Sequence, residues 1–199
     1  MNFLAHLFLS GTNNDIRFGN FIGDYVKGNE IFKYPLMVQR GIRLHRKIDF
    51  FTDTHPIVKN HKALFYNKYH KYAGVIVDVL YDHYLTTNWS LFTAWNYNVY
   101  VEFIYKWIEE NFDRMPKDLQ ELVPRLISNK WLNFYATLDG IERVFISMSK
   151  GTSLPHENEF ALEIIRKHYN EIQEGFLIYF EDLIGYVNNK LIDFEKPKD

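Results

Sequence analysis

His45-Arg46-Lys47-Ile48-Asp49-Phe50-Phe51-Thr52-Asp53 is the stretch on which the reading of the fold turns, and Asp78-Val79-Leu80-Tyr81-Asp82-His83 answers it further along the chain. Both read as helix, and residues four apart on a helix lie about 40° apart around the axis. Each stretch therefore sets several oxygen or imidazole donors on one face. A His or Asp on a helix is usually solvated or locally paired. Asp49, Asp78 and Asp82, however, are embedded among Ile48, Phe50, Val77, Val79 and Leu80, where a lone carboxylate is costly. Carboxylates and imidazole suit divalent ions such as Mg²⁺, Mn²⁺, Fe²⁺ or Zn²⁺, and a mixed His/Asp set favours ions that activate water for hydrolysis. The helices near 36–54 and 73–92 are expected to face one another across a single polar site.

Outward from these two stretches, apolar residues recur at helical spacing almost everywhere, and runs of alternating β-branched residues are scarce. The spacing predicts an all-α fold, a helical bundle with helices near 2–9, 14–27, 36–54, 56–71, 73–92, 98–112, 117–131, 132–150 and 157–191. Pro35 and Pro56 sit where a first helical turn accepts proline, and Gly28 and Gly151 read as stops. The last segment carries Ile164, Ile165, Tyr169, Ile172, Phe176, Tyr179, Phe180, Leu183 and Ile184 as an apolar stripe and reads as scaffold, while Lys196-Pro197-Lys198-Asp199 reads as a frayed tail. At 199 residues, with no linker, repeat or low-complexity tract, the chain is expected to form one domain over 1–199.

Composition narrows the chemistry. An aromatic share of 18% argues for a packed interior and against disorder. The absence of cysteine excludes disulfides, zinc ribbons and thiol nucleophiles, fits a cytoplasmic setting, and leaves any metal to His, Asp or Glu. Met1–Leu9 is apolar but short for a membrane span and lacks a positive leader, so it is read as a core helix and no membrane partner is expected. Residues 1–75 hold 11 Lys/Arg against 5 Asp/Glu, a balance of +6, and residues 76–199 hold 12 against 20, a balance of −8. A basic front of that kind attracts an acidic partner. There is no Gly-x-Ser-x-Gly elbow, Walker loop, Gly-x-Gly-x-x-Gly turn or His-Glu-x-x-His helix, so serine-hydrolase, kinase and dinucleotide readings lack support. With a pI near 6.4 and no nucleic-acid module, no nucleic-acid partner is expected.

Four blocks bear a resemblance: Met1-Asn2-Phe3-Leu4-Ala5-His6-Leu7; Gly19-Asn20-Phe21-Ile22-Gly23-Asp24-Tyr25-Val26-Lys27-Gly28; Gly41-Ile42-Arg43-Leu44-His45-Arg46-Lys47-Ile48-Asp49 with Thr52-Asp53; and Asp78-Val79-Leu80-Tyr81-Asp82-His83-Tyr84-Leu85. Their order and spacing resemble the bacterial acyl carrier protein phosphodiesterases, closely over the first 85 or so residues. The resemblance implies removal of 4′-phosphopantetheine from holo-acyl carrier protein with a divalent cation, usually Mn²⁺, with Mg²⁺ or Fe²⁺ as alternatives. It also implies a distant kinship to His-Asp metal-dependent phosphohydrolases and an HD-like architecture. The chain departs from that wider pattern, since it has no His-Asp dipeptide and Asp82-His83 runs in reverse order.

Carried over through these blocks, Asp24, His45, Asp49, Asp78 and Asp82 are expected near the metal, with Asp53 as ligand or supporting group. His6 and His83 are expected to transfer a proton or orient a carboxylate, and Asp24 is counted with the catalytic groups. Glycines on either side of Asp24 allow the close backbone approach that would carry it into the site. Arg43, Arg46 and Lys47 are expected to hold phosphate oxygens or meet acidic side chains of the carrier protein. Two other readings stand beside this one: a phosphohydrolase of nucleotides or other small phosphodiesters, and a non-catalytic helical module for an acidic partner.

Overall fold

The computed structural model describes residues 3–195, and every regular element among them is helical. Helices α1 (Phe3–Phe8) and α2 (Asn14–Phe21) lead through 3₁₀ turns at Gly23–Tyr25 and Gly28–Lys33 into α3 (Leu36–Thr54) and α4 (Pro56–Tyr69). Next come α5 (Ala73–Thr87), α6 (Trp89–Phe92), α7 (Tyr97–Glu110), α8 (Lys117–Ser128), α9 (Trp131–Phe134), α10 (Leu138–Gly151) and α11 (Asn158–Glu195). The all-α expectation holds, and α3 runs over the predicted 36–54. The expected frayed tail at 196–199, and the expected start of the first helix at Asn2, lie outside the described residues.

Departures from the predicted helices have local causes. The helix expected over 14–27 ends at Phe21, because the chain beyond it tightens into a 3₁₀ turn and Gly28 takes a left-handed φ of +52°. The helix expected to reach 71 stops at Tyr69, where His70 adopts φ +46°. The span 73–92 divides at Asn88, whose side chain Nδ2 donates to the Tyr84 carbonyl and caps α5. The spans 117–131 and 132–150 become α8, α9 and α10, since Lys130 enters α9 with φ +49°. Helix α11 is bent at His168, which has φ −112° and ψ 18°.

The core explains where the site sits. Helix α5 buries Ile76, Val77, Val79, Leu80, Tyr81, Tyr84 and Leu85, so it is apolar nearly all round and lies inside. The lower part of α11 brings Phe176, Tyr179, Phe180 and Leu183 into the same cluster, with the Phe176 and Phe180 rings stacked at 5.1 Å. Helix α2 meets α3 backbone to backbone: a Cβ on Gly19 would stand 2.0 Å from the Val38 carbonyl oxygen and 2.9 Å from Gly41 Cα. No larger residue fits there, and the close approach presents the end of α2 to the middle of α3. Among the described residues no helix is long and apolar enough to cross a membrane.

Candidate metal centre

Two buried histidines form the floor of the site. His6 near the end of α1 and His45 in α3 stack with ring centroids 3.9 Å apart and planes inclined by 16°. Asn20, in the closely packed α2, serves both. His6 Nδ1–H donates to Asn20 Oδ1 at 2.8 Å, and His45 Nδ1–H donates to the Asn20 backbone carbonyl at 2.8 Å. The amide orientation is fixed independently, because Asn20 Nδ2 donates to the His6 carbonyl at 2.8 Å and to Ser10 Oγ at 2.9 Å. Both acceptors demand a proton on Nδ1, so in each neutral ring the lone pair is on Nε2.

Both Nε2 atoms converge on Asp49, one turn beyond His45. His6 Nε2 lies 3.2 Å from Asp49 Oδ1, and His45 Nε2 lies 3.1 Å from Asp49 Oδ2 and 3.1 Å from Asp24 Oδ1. His6 Nε2 is buried without a hydrogen-bond partner. Burial, helped by the stacked His45, lowers the His6 pKa to about 4, so this ring is neutral and aims a lone pair at a carboxylate oxygen. Such a contact is repulsive unless a cation stands between the two atoms. For His45, burial would lower the pKa, but Asp24 and Asp49 outweigh it and raise it to about 9. Burial would likewise raise the Asp49 pKa, yet the two imidazoles hold that carboxyl below its ordinary range. His6, His45 and Asp49 each offer a ligand atom, all within 4.8 Å of one another. Two imidazole nitrogens and a carboxylate suit a divalent transition ion, and the partners on Nδ1 supply the supporting bonds that metal-binding histidines use.

Above this floor, Asp24, Asp49, Asp53 and Asp78 line a cavity of about 210 Å³. Asp24 reaches it because of Gly23: a Cβ there would stand 2.3 Å from His45 Cγ, so only glycine lets the turn lie against the imidazole. The Asp24 carboxyl is exposed and held below its usual pKa, chiefly by its hydrogen bond to His45. Asp78, from α5, is half-buried, and burial raises its pKa. Asp53 is exposed and pairs with Lys62 Nζ at 2.6 Å.

Asp82 and His83 are not brought to this cavity. Asp82 is fully buried one turn beyond Asp78 and accepts the backbone N–H groups of Leu4 and Ala5, each at 3.2 Å. It caps the start of α1, and burial pushes its pKa up to about 8. Expected near the metal, Asp82 is placed at the start of α1 and not in the cavity lining. His83 points another way around α5, donating from Nδ1 to the Tyr135 carbonyl at 2.8 Å with Nε2 2.9 Å from Tyr169 Oη. Both ring nitrogens are thus engaged by Tyr135 and Tyr169, and His83 is not among the residues lining the cavity.

The three basic candidates are outside the cavity lining. Arg46 is exposed and donates to the Val26 carbonyl at 2.8 Å, close in sequence to Asp24. Arg43 contacts Gln39 Oε1 at 3.3 Å, and Lys47 lies over the Phe194 ring at 5.7 Å. Sequence reasoning gave no role to Asn20 or Lys62. A polar residue between Phe18 and Phe21 and flanked by Gly19 was a signal for Asn20, whereas Lys62 sits in a helix with Lys59 and Lys68 and carries no mark that separates it from them.

Comparison with known proteins extends the likeness well beyond the opening blocks. The family described as acyl carrier protein phosphodiesterase matches residues 1–183. A relative of that name from Photorhabdus laumondii is 32% identical over 191 residues, covering 96% of each chain. The relative from Yersinia pestis is 30% identical over 193 residues, 96% of this chain and all of that one. That from Pectobacterium atrosepticum is 32% identical over 181 residues, 90% of this chain and 94% of its own. No solved structure matches the chain.

Proposed function

The chain belongs to the acyl carrier protein phosphodiesterase family, and on that premise we propose that it hydrolyses the phosphodiester of holo-acyl carrier protein, releasing 4′-phosphopantetheine and leaving the apo-protein. We take it to act as one domain over residues 1–199, of HD-like architecture, in the cytoplasm. The observation that carries the reading is the convergence of His6 Nε2 and His45 Nε2 on the two oxygens of Asp49, with both Nδ1 protons committed to Asn20.

His6, His45 and Asp49 would hold a divalent cation, with Asp24 and Asp78 adjoining it. When bound, that cation, Mn²⁺ in the first place and Mg²⁺ or Fe²⁺ as alternatives, lowers the pKa of a water and offsets charge on the non-bridging phosphate oxygens. The protein supplies the proton traffic. Asp24, ionised and open to solvent, accepts a proton from the attacking water as its oxygen bonds to phosphorus. Asp78, half-buried in the cavity lining, would deliver a proton to the departing serine oxygen as the phosphorus–oxygen bond breaks. His6, with a pKa near 4, stays neutral and serves as a ligand rather than as the acid. Arg46, with Arg43 and Lys47 behind it, offers positive charge beside the Asp24 turn for acidic side chains of the carrier protein.

The test measures release of phosphopantetheine from holo-acyl carrier protein by chelated and Mn²⁺-loaded enzyme. Release confined to the metal-loaded protein, and lost in Asp49→Asn, is the expected result. Hydrolysis of nucleotides without any dependence on carrier protein would point to a small-phosphodiester enzyme instead. Purified protein that takes up no metal and releases nothing would leave only a binding module. Reversing charge at Arg46 should lower kcat/KM at low salt and flatten its salt dependence without changing metal content.

A further inference from the structure

Lys62, from α4, stands just outside the cavity lining and pairs with Asp53, one of the four residues that line it. Its ammonium stands 2.6 Å from Asp53 Oδ1, and its side chain is 24% exposed against 69% for its partner. The stem runs past the first turn of α5: a Cβ on Gly74, one turn before Asp78, would meet Lys62 Cε at 3.4 Å and Nζ at 3.5 Å. The charge is close enough to oppose the upward push that burial gives the Asp78 carboxyl. The ammonium thus packs beside the first turn of α5 and adjoins the cavity through the exposed carboxylate of Asp53.

An exposed ion pair of this kind contributes little to stability, so folding gives weak reason to keep it. The cavity gives a stronger one. Four carboxylates line it, and a phosphodiester brings further negative charge into the same space. An ammonium whose present partner is exposed can exchange that partner for a phosphate oxygen at small cost, because one charge-assisted bond replaces another. Lysine suits this task as a mobile point charge on a flexible stem. We propose that Lys62 is a phosphate-binding residue of this site, its ammonium passing from Asp53 to a non-bridging oxygen of the substrate phosphoryl group. Asp53 then keeps the ammonium at the cavity rim between turnovers and is not a ligand of the ion. The identity of that phosphoryl group as phosphopantetheine rests on the function proposed above, whereas the role of Lys62 rests on the geometry of the pair.

The experiment titrates inorganic phosphate and, separately, 4′-phosphopantetheine into Mn²⁺-loaded protein by calorimetry, with metal content and melting curves measured in parallel. Lys62→Met keeps the stem against Gly74 and should weaken both ligands about ten- to a hundredfold with metal content unchanged. Lys62→Arg should retain most of the affinity, and Asp53→Asn, which frees the ammonium, should bind phosphate at least as tightly as the parent. If Lys62→Met melts early, Lys62→Gln takes its place in the comparison. Equal affinity in the parent and the uncharged variant would overturn the proposal, even with carrier-protein turnover intact. Equal losses in the Lys62 variant and Asp53→Asn would also overturn it, since the pair would then be only a brace. A parent protein that binds inorganic phosphate through Lys62 but neither binds phosphopantetheine nor releases it would support the residue's role and defeat the carrier-protein reading.

Discussion

Asn20→Ala separates the support of the histidines from the histidines themselves. The substitution removes three buried hydrogen bonds, to His6 Nδ1, the His6 carbonyl and Ser10 Oγ, while the backbone carbonyl that holds His45 stays in place. Lost bonds and newly unpaired groups should lower the stability of chelated protein by about 2–4 kcal/mol. The second effect is on the ion. His6 is free to change tautomer and turn, and loss of such a supporting partner typically weakens metal binding 10- to 100-fold. With Mn²⁺ at about 100 times the parent Kd, linkage gives the parent about 2.7 kcal/mol of added stability, and a roughly 30-fold weaker variant only about 0.9 kcal/mol. For a chain of this size that corresponds to a metal-induced rise in Tm of roughly 5–11 °C in the parent and about 2–4 °C in the variant. Differential scanning fluorimetry with chelator and with Mn²⁺ reads both effects. If the variant is destabilised but gains as much from Mn²⁺ as the parent does, Asn20 is merely a core residue and the tautomer argument is wrong.

Three further outcomes follow from the geometry. Asp82→Ala, which strands the Leu4 and Ala5 amides, should cost about 2–4 kcal/mol of stability in chelated protein and, by loosening the helix that carries His6, weaken Mn²⁺ binding only in part; Asp49→Asn should leave chelated stability near that of the parent and abolish Mn²⁺ binding, and denaturant unfolding beside metal titration distinguishes them. Burial lowers the pKa of His61, which bonds Tyr81 Oη at 2.7 Å, to about 4, below its unfolded value. Its stabilising effect is therefore complete above pH 6.5 and is lost as pH falls from 6.5 toward 4, by up to about 3 kcal/mol. Chelated His61→Gln should lack that part of the acid loss, and parallel stability curves for the two proteins would exclude it. Gly23→Ala should displace the Asp24 turn or the His45 ring and lower both Mn²⁺ affinity and turnover at least tenfold, whereas Gly28→Ala, with open space around it but φ +52°, should cost about 1 kcal/mol and leave the site alone.

The helices were legible from their apolar spacing and their proline starts, and the bounds agree best in α3, which runs over 36–54, and in the start of α4 at Pro56. The breaks at His70 and Lys130 were not, since each depends on a positive φ at a residue other than glycine. Acids at helical spacing pointed to Asp49 and Asp78 in one cavity, and the glycines around Asp24 pointed to a third. Spacing could not separate Asp78 from Asp82. The two lie 40° apart on one helix, and what divides them is the start of α1, an element 77 residues away that arrives over Asp82 and closes it off. Nor could spacing show that His6 turns toward His45 while His83 turns toward Tyr135, because ring direction is set by partners on other helices.

That clamp on α1 has a consequence for the order of events on the ribosome. His6, Asn20, Asp24, His45 and Asp49 all emerge within the first 49 residues, so most of the donor set is outside the exit tunnel early. The helix carrying His6, however, has its first amides satisfied by Asp82, a residue made 33 positions after Asp49, which at ordinary elongation rates is a delay of roughly 2–7 s. Until then α1 lacks its anchor and the second imidazole has no fixed place. A nascent chain released early would carry His45 and Asp49 but no assembled centre, so truncated products should neither retain manganese nor act on a phosphodiester.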